Sequence, residues 1–241
     1  MSDILAKVDV KSNYHEVLRR VEESACRSGR QLSDIVVVGV TKRIEMGRIK
    51  LALDEGLSHL GEVISTELKT KINDIRQYSS NVCIHVVGNM QSNKAKFAVE
   101  KCNLVESIKT EHILSLLNKY AKKKNQLFPV FFQIDLSGRN QLKGMTEKEL
   151  LDLLELTKNY ESIDVKGLMT IAPLEYEQTP TILRKFFKKT FQFYSKTFIP
   201  AVDKDETFLS MGMSSDYEIA IEEGSNLIRV GTAIFGPRNP K

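Results

Sequence analysis

The chain has 241 residues, of which 41% are hydrophobic, so it is long and apolar enough to fold around a sizeable core. Its formal net charge is only +4, from 35 basic and 31 acidic residues, and the densest basic run, at 122–124, fits the solvated end of a helix better than a nucleic-acid contact. No apolar run approaches the roughly 18 residues that cross a bilayer, and the charged amino end argues against a secretory signal.

In chain order, the predicted elements alternate between helices and strands. Residues 14–28 have the pattern of an amphipathic helix with Ser12 as its cap. Eight short apolar runs follow, each next to a helix-length amphipathic pattern. They cover residues 35–40, 58–61, 82–87, 104–107, 130–135, 165–169, 207–211 and 227–230.

Eight strand–helix units in a chain of this length predict an α/β fold, a single (β/α)₈ TIM barrel with an extra N-terminal helix. Periodicity alone fits an open doubly wound sheet as well. The sequence contains no Ser-, Gly- or Pro-rich linker, so we expect one domain over residues 1–241.

Lys42 directly follows the first predicted strand. In a (β/α)₈ barrel the active face lies at the carboxyl ends of the strands, so this amine is expected at the mouth of an apolar barrel. A neutral lysine amine there attacks carbonyl carbons to form an imine. A lysine that merely ends a strand would instead be solvent-exposed, and its position in the sequence leaves both interpretations open.

Two loops rich in glycine and hydroxyl groups follow the seventh and eighth strands. Gly231 and Thr232 offer backbone amides and a hydroxyl, and Ser214 or Ser215 offers another hydroxyl. Barrels bind phosphate with such groups after strands seven and eight. We also expect Asp216 to cap the following helix. Ordinary strand–helix turns have the same composition, so phosphate binding and simple capping both remain open.

Arg229 interrupts an apolar strand, and an unpaired buried charge is costly, so it must face a ligand or pair with an acid. The segment 88–94, GNMQSNK, adds amide and hydroxyl groups at the same end of the barrel. Histidines are scattered singly, and the cysteines lack metal-ligand spacing and neighbouring histidines, so we expect no metal site. The residues concerned are His15, His59, His85, His112, Cys26, Cys83 and Cys102.

Six segments in order resemble the pyridoxal phosphate homeostasis protein family over nearly the whole chain. They are VGVTK (38–42), LGE (60–62), GNMQSNK (88–94), GLMT (167–170), LSMGMSSD (209–216) and RVGTAIFG (229–236). The resemblance implies a barrel like the amino-terminal domain of alanine racemase, with pyridoxal 5′-phosphate (PLP) held as an internal aldimine on Lys42.

The same resemblance implies the other cofactor-binding residues. Ser214, Gly231 and Thr232 would lie around the phosphate, and Arg229 would face the pyridine nitrogen, where it makes the ring a poorer electron sink. Two further residues complete the expected binding set. They are Asn89 and Met211.

This sequence departs from the family pattern at three positions. Val63 stands where an asparagine is usual, Asn89 replaces the common histidine, and Leu142 falls where a lysine is usual, with Lys143 displaced by one before Gly144. We expect cofactor binding to survive these changes. The departures are expected to change the affinity for PLP. They also affect any role in PLP transfer that the usual lysine at position 142 would have.

The function implied by the resemblance is intracellular homeostasis of PLP, meaning that the chain buffers the cofactor and delivers it to PLP-dependent apo-enzymes. The alternative is a weak PLP-dependent amino-acid racemase, although racemisation needs a second base that the related racemase takes from another domain. A Schiff-base aldolase is a third reading, and it lacks an identifiable acid–base partner beside Lys42.

We expect a cytoplasmic monomer with no nucleic-acid or membrane partner and no catalytic residues assigned. A mitochondrial or nuclear location is also compatible with the sequence.

Overall fold

The computed structural model describes residues 8–138 and 144–238. Within them, eight parallel strands form a closed barrel in sequence order, and β8 pairs with β1. The strands are β1 (Val36–Val40), β2 (His59–Glu62), β3 (Cys83–Val86), β4 (Leu104–Ile108), β5 (Phe128–Gln133), β6 (Ile163–Met169), β7 (Phe208–Ser210) and β8 (Leu227–Val230). The predicted (β/α)₈ barrel is confirmed, and the open-sheet alternative is excluded.

Helices cover the outside of the barrel; the first precedes β1, the last follows β8, and the others connect successive strands. They are α1 (Val10–Arg27), α2 (Met46–Asp54), α3 (Thr66–Tyr78), α4 (Ala95–Lys101), α5 (Glu111–Lys123), α6 (Glu147–Thr157), α7 (Pro180–Phe193), α8 (Ile199–Val202), α9 (Tyr217–Glu222) and α10 (Thr232–Phe235). A wider π-helical turn at Tyr194–Phe198 joins α7 to α8. In the two described ranges, no helix has both the length and the apolar character that a membrane span requires.

The extra N-terminal helix α1 begins four residues earlier than the apolar pattern suggested. Its cap is Asp9, whose carboxylate accepts a hydrogen bond from the Ser12 amide at 3.1 Å. The prediction that Ser12 is the cap is therefore wrong. A carboxylate three residues upstream satisfies the first free amides of the helix, which leaves Ser12 inside the first turn.

The strands are buried on both faces, as parallel strands in a barrel must be. Inside the barrel, a small cluster of residues such as Val38, Phe131 and Leu227 fills the interior. Outside it, a much larger cluster packs the strands against the helices. This double burial explains why the strand sequences are continuous apolar runs and do not alternate.

Because all eight strands run in the same direction, the barrel has two chemically different ends. We call the end where β1, β7 and β8 stop at Val40, Ser210 and Val230 the carboxyl mouth. The opposite end, where β2 and β3 start at His59 and Cys83, is the amino mouth. The predicted functional loops all follow strand ends at the carboxyl mouth.

Candidate functional site

The loops after β1 and β8 lie side by side at the carboxyl mouth. Strand register pairs Val38 with Arg229, so the two strands end at nearly the same level. A Cβ atom added to Gly231 would lie 3.5 Å from the Val40 carbonyl oxygen. This contact places the glycine loop against the end of β1, next to the segment that carries Lys42.

Lys42 is half-buried, and its amine makes no hydrogen bond or ion pair with any other described residue. The chain turns sharply just after it. Ile44 donates to the Thr41 carbonyl at 3.1 Å, and Arg43 adopts a left-handed φ of 59° that is uncommon outside glycine. The Arg43 amide donates to Glu67 at 2.8 Å, which fixes this turn and the position of Lys42.

A buried ion pair supports the turn from below. The Lys71 ammonium lies 2.6 Å from the Glu62 carboxylate and donates to the Thr41 carbonyl at 2.8 Å. The Thr41 hydroxyl donates to Glu62 at 2.5 Å. Burial raises the pKa of Glu62 above its usual value, and the Lys71 charge opposes that rise only in part.

The sequence analysis missed Lys71, although a signal was present. The buried residues of α3 follow helical spacing, and a lysine occupies one of these apolar positions. Such a residue must find a buried acid, because an unpaired charge is costly there. Glu62, at the end of the adjacent strand β2, is that acid.

The loops after β7 and β8 meet through Ser214. Its hydroxyl oxygen accepts hydrogen bonds from the amides of Gly231 at 3.1 Å and Ala233 at 3.4 Å. The structure therefore brings together the hydroxyl and the glycine loop expected to surround a phosphate. The amide of Ala233 was not foreseen from the sequence, whereas Thr232, which was, has an exposed side chain.

The β7 loop depends on a glycine. Gly212 has a φ of 100°, and a Cβ atom there would come 2.7 Å from the Ala220 side chain. Asp216 stands at the N-cap position of α9, but its side chain makes no capping bond and accepts from the Met213 amide instead. The expectation that its side chain caps α9 is therefore wrong, because the carboxylate is used to close the loop.

Arg238 is a second residue that the sequence analysis missed. One of its guanidinium nitrogens lies 3.9 Å from the position that a Cβ atom on Gly231 would take, and it has no hydrogen bond or ion pair with another described residue. Arg48 fixes the segment before it by donating to the carbonyls of Phe235 and Pro237, both at 3.1 Å. Arg238, the first basic residue after Gly231 in the sequence, is thus held beside the glycine loop.

Arg229 is buried inside the barrel and points across it. Its guanidinium donates to the Thr170 carbonyl at 2.8 Å and to the Ser210 hydroxyl, which in turn donates to Glu106 at 2.6 Å. Burial raises the pKa of Glu106, but His85, Arg229 and Ser210 outweigh this effect and hold the pKa below its usual value. Glu106 is therefore the buried counter-charge of Arg229.

The remaining predicted residues differ in their surroundings. Asn89 is exposed beyond the end of β3, whereas Met211 is fully buried in the core and both its backbone groups are hydrogen-bonded. Val63 packs against Gly88, since a Cβ on that glycine would lie 2.5 Å from a Val63 methyl group. Leu142 lies outside the described residues.

The expectation that the cysteines have no histidine neighbours is wrong. His59 and His85 hydrogen-bond to each other through Nδ1 and Nε2 at 2.9 Å, and Cys83 lies beside both rings. His85 also contacts Glu106 at 2.6 Å. Strand pairing creates this group, because His59 is aligned with Cys83 across β2 and β3. It lies toward the amino mouth, away from Lys42.

Comparison with known proteins agrees with the resemblance noted in the sequence. Residues 27–239 match the family model of the alanine racemase N-terminal domain. The pyridoxal phosphate homeostasis protein of Aquifex aeolicus is 30% identical over 92% of this chain and 95% of its own length. The protein of the same name from Escherichia coli K12 is 30% identical over 96% of this chain and 97% of its own.

Solved structures show the same barrel. PipY of Synechococcus elongatus with PLP bound has a TM-score of 0.78 and 28% identity, over 91% of this chain and 100% of that one. The alanine racemase of Clostridium difficile has a TM-score of 0.72 and 18% identity, over 95% of this chain and 57% of that one, a likeness that shows the fold alone. By its match to the family model and by relatives 30% identical over almost its entire length, this chain belongs to the pyridoxal phosphate homeostasis protein family, whose barrel is that of the alanine racemase N-terminal domain.

Proposed function

We propose that this chain binds PLP at the carboxyl mouth, with Lys42 as the covalent attachment point, and acts in intracellular PLP homeostasis. The observation that carries the proposal is the Lys42 amine, which has no hydrogen bond or ion pair within residues 8–138 and 144–238 and follows a fixed turn near the Ser214–Gly231 contact. The names of its relatives and the PLP bound to PipY support it. When bound, PLP supplies an aldehyde that bonds reversibly to amines and a conjugated ring that absorbs visible light.

The phosphate group has suitable partners in the loops after β7 and β8. The amides of Gly231 and Ala233 converge on one oxygen, that of Ser214. A phosphate oxygen that replaces the Ser214 oxygen at this point accepts from both amides, and the displaced hydroxyl remains beside it as a further donor. Thr232 adds a second hydroxyl at the rim, and Arg238 supplies a positive charge with no other described partner. Two or more charge-assisted hydrogen bonds fit a phosphate of about two negative charges.

Arg229 suits a protein that stores the cofactor. A guanidinium has only donors and stays charged, so facing the pyridine nitrogen it disfavours protonation of the ring. Its contacts with Thr170 and Ser210 hold it in one orientation. The unprotonated ring withdraws electrons weakly, which limits catalysis of carbanion chemistry. Asn89 and Met211 remain predicted binding residues, the first at the exposed rim and the second as part of the wall.

Spectral titration of the purified chain with PLP tests the attachment. We expect the visible band that PLP develops on bonding to an amine to saturate at one equivalent per chain. Lys42→Ala should abolish this saturable band, and Lys148→Ala, at an exposed lysine of α6, should leave it unchanged. An equal band in the Lys42 variant would refute Lys42 as the attachment point.

Delivery to apo-enzymes is the second half of the proposal. The PLP-loaded chain is mixed with a PLP-dependent apo-enzyme in the presence of a phosphatase that destroys free PLP. Direct delivery predicts that the apo-enzyme regains activity under these conditions, while an equal amount of free PLP fails to restore it. If the phosphatase blocks both, the chain releases PLP into solution, and its role is limited to buffering.

A further inference from the structure

A cavity of about 380 Å³ opens at the amino mouth, at the opposite end of the barrel from Lys42. Residues that begin strands form much of its lining, among them Val36, His59, Cys83 and Leu104. Most of this wall is apolar. Its polar residues are Asn103, Lys166 and Glu206, together with a group of two imidazoles and a thiol. We call this group the His–Cys cluster, and it consists of His59, Cys83 and His85.

The His–Cys cluster gathers three metal-ligand atoms in one place. The ligand atoms of the three side chains all lie within 4.8 Å of one another. His85 is buried, while His59 and Cys83 are half-buried against the cavity. The cluster follows from strand geometry, because Cys83 and His85 lie on one face of β3 and His59 is aligned with Cys83 on β2.

Glu106 orients the cluster from behind. Its carboxylate contacts His85 Nδ1 at 2.6 Å, so His85 Nε2 is directed to the side where the other two ligand atoms lie. Ser210 donates to the second carboxylate oxygen at 2.6 Å, which fixes Glu106 in turn. A carboxylate behind a ligating imidazole is the usual outer shell of protein zinc sites, where it sets the tautomer and the ring orientation.

We propose that the His–Cys cluster binds Zn²⁺ through His59 Nδ1, Cys83 Sγ and His85 Nε2, with a fourth coordination position open to the cavity. Two imidazoles and one thiolate are ligands that Zn²⁺ prefers and that Mg²⁺ and Ca²⁺ avoid. The metal replaces the proton shared by the two rings, and Cys83 releases its thiol proton. Tetrahedral ligands at Zn–N distances near 2.0 Å are about 3.3 Å apart, so the 2.9 Å between the ring nitrogens needs only a small widening.

This site is independent of the proposed PLP function, and it is tested on the untagged, reduced full-length chain without PLP. Zn²⁺ is titrated against a chromogenic chelator, and Co²⁺ is used as a spectroscopic substitute. We expect one Zn²⁺ per chain, tetrahedral Co²⁺ bands in the visible, and a thiolate-to-cobalt band in the near ultraviolet. Cys83→Ser should abolish the thiolate band and lower Zn²⁺ affinity by at least about tenfold, as loss of a supporting group alone does.

Cys26→Ser, at the exposed cysteine of α1, is the matched control and should retain the affinity and the thiolate band. If Cys83→Ser does not fold, the wild type is alkylated with and without Zn²⁺ and the modified cysteines are identified by peptide mapping. The proposal requires that Zn²⁺ protects Cys83 and leaves Cys26 reactive. Zn²⁺ binding of equal strength in folded Cys83→Ser would overturn the proposal. So would octahedral Co²⁺ bands without a thiolate band, or equal alkylation of Cys83 with and without Zn²⁺.

Discussion

Arg229 carries a positive charge that is buried inside the barrel. It is almost fully buried, and its charge is balanced by Glu106 through the Ser210 hydroxyl. Removing Arg229 leaves the Glu106 carboxylate in a low-dielectric interior with His85 as its remaining charged partner. The two residues therefore belong together energetically as well as structurally.

Arg229→Met should lower the free energy of unfolding by about 3 kcal/mol, the lower end for breaking a buried pair, because Glu106 loses one charged partner and keeps His85. The combined variant Arg229→Met/Glu106→Gln should be less destabilised than the sum of the two single variants. The expected coupling is about 1–3 kcal/mol, measured by urea denaturation as a double-mutant cycle. Additive losses would show that the two side chains do not act as a pair.

At the scale of elements, the loops after β2 and β3 are locked together by Val63 and Gly88. A Cβ atom on Gly88 would come 2.5 Å from one Val63 methyl carbon and 3.0 Å from the other. The valine that departs from the family pattern thus occupies the space above the glycine. This contact makes the two loops one packed unit at the rim of the carboxyl mouth.

Gly88→Ala should destabilise the chain by about 1–3 kcal/mol through overpacking, and adding Val63→Ala should restore part of that loss. Thermal or urea denaturation measures both effects. Gly47→Ala is the control, since a Cβ there meets nothing within 4 Å in helix α2, and it should stabilise by about 0.5–1 kcal/mol. A Gly88→Ala variant as stable as the wild type would contradict the proposed contact.

Helix α3 meets the end of β2 through the Glu62–Lys71 pair, and this junction predicts a pH effect. The pKa of Glu62 is raised in the folded chain, so as pH falls toward 4.5 the folded state takes up a proton before the unfolded chain does. Glu62 therefore adds stability at low pH that is lost as pH rises through its folded pKa.

Urea denaturation of the wild type and of Glu62→Gln at a series of pH values measures this effect. The stability of the wild type relative to Glu62→Gln should grow on acidification from neutral pH, by about 1.4 kcal/mol for each unit by which the folded pKa is raised. A relative stability that is constant with pH, or that falls on acidification, would contradict the assignment.

At the scale of the whole molecule, the sequence was sufficient to predict the order of the elements and the position of Lys42 just after β1. The eight apolar runs are continuous because the strands are buried on both faces. Such runs can be recognised in the sequence without the three-dimensional structure. The end of β1 then places Lys42 at the carboxyl mouth without any knowledge of its neighbours.

Features that depend on register between strands were not accessible in the same way. The His–Cys cluster forms only because β2 and β3 pair His59 with Cys83, which nothing in either segment specifies. The Glu62–Lys71 pair likewise joins the end of a strand to the sixth residue of the next helix, α3. Contacts across elements need the three-dimensional structure, whereas strand and helix patterns within one segment do not.

The central claim, that Lys42 is the PLP attachment point, is tested most directly by reductive trapping. The purified chain is incubated with PLP, reduced with borohydride, and digested for peptide mass mapping. The account predicts one modified lysine per chain, at Lys42, because this residue follows the end of β1 beside the loops proposed to bind the phosphate, and its amine has no hydrogen bond or ion pair with another described residue. Modification of a different lysine, or scattered labelling of exposed lysines with Lys42 unmodified, would contradict the account.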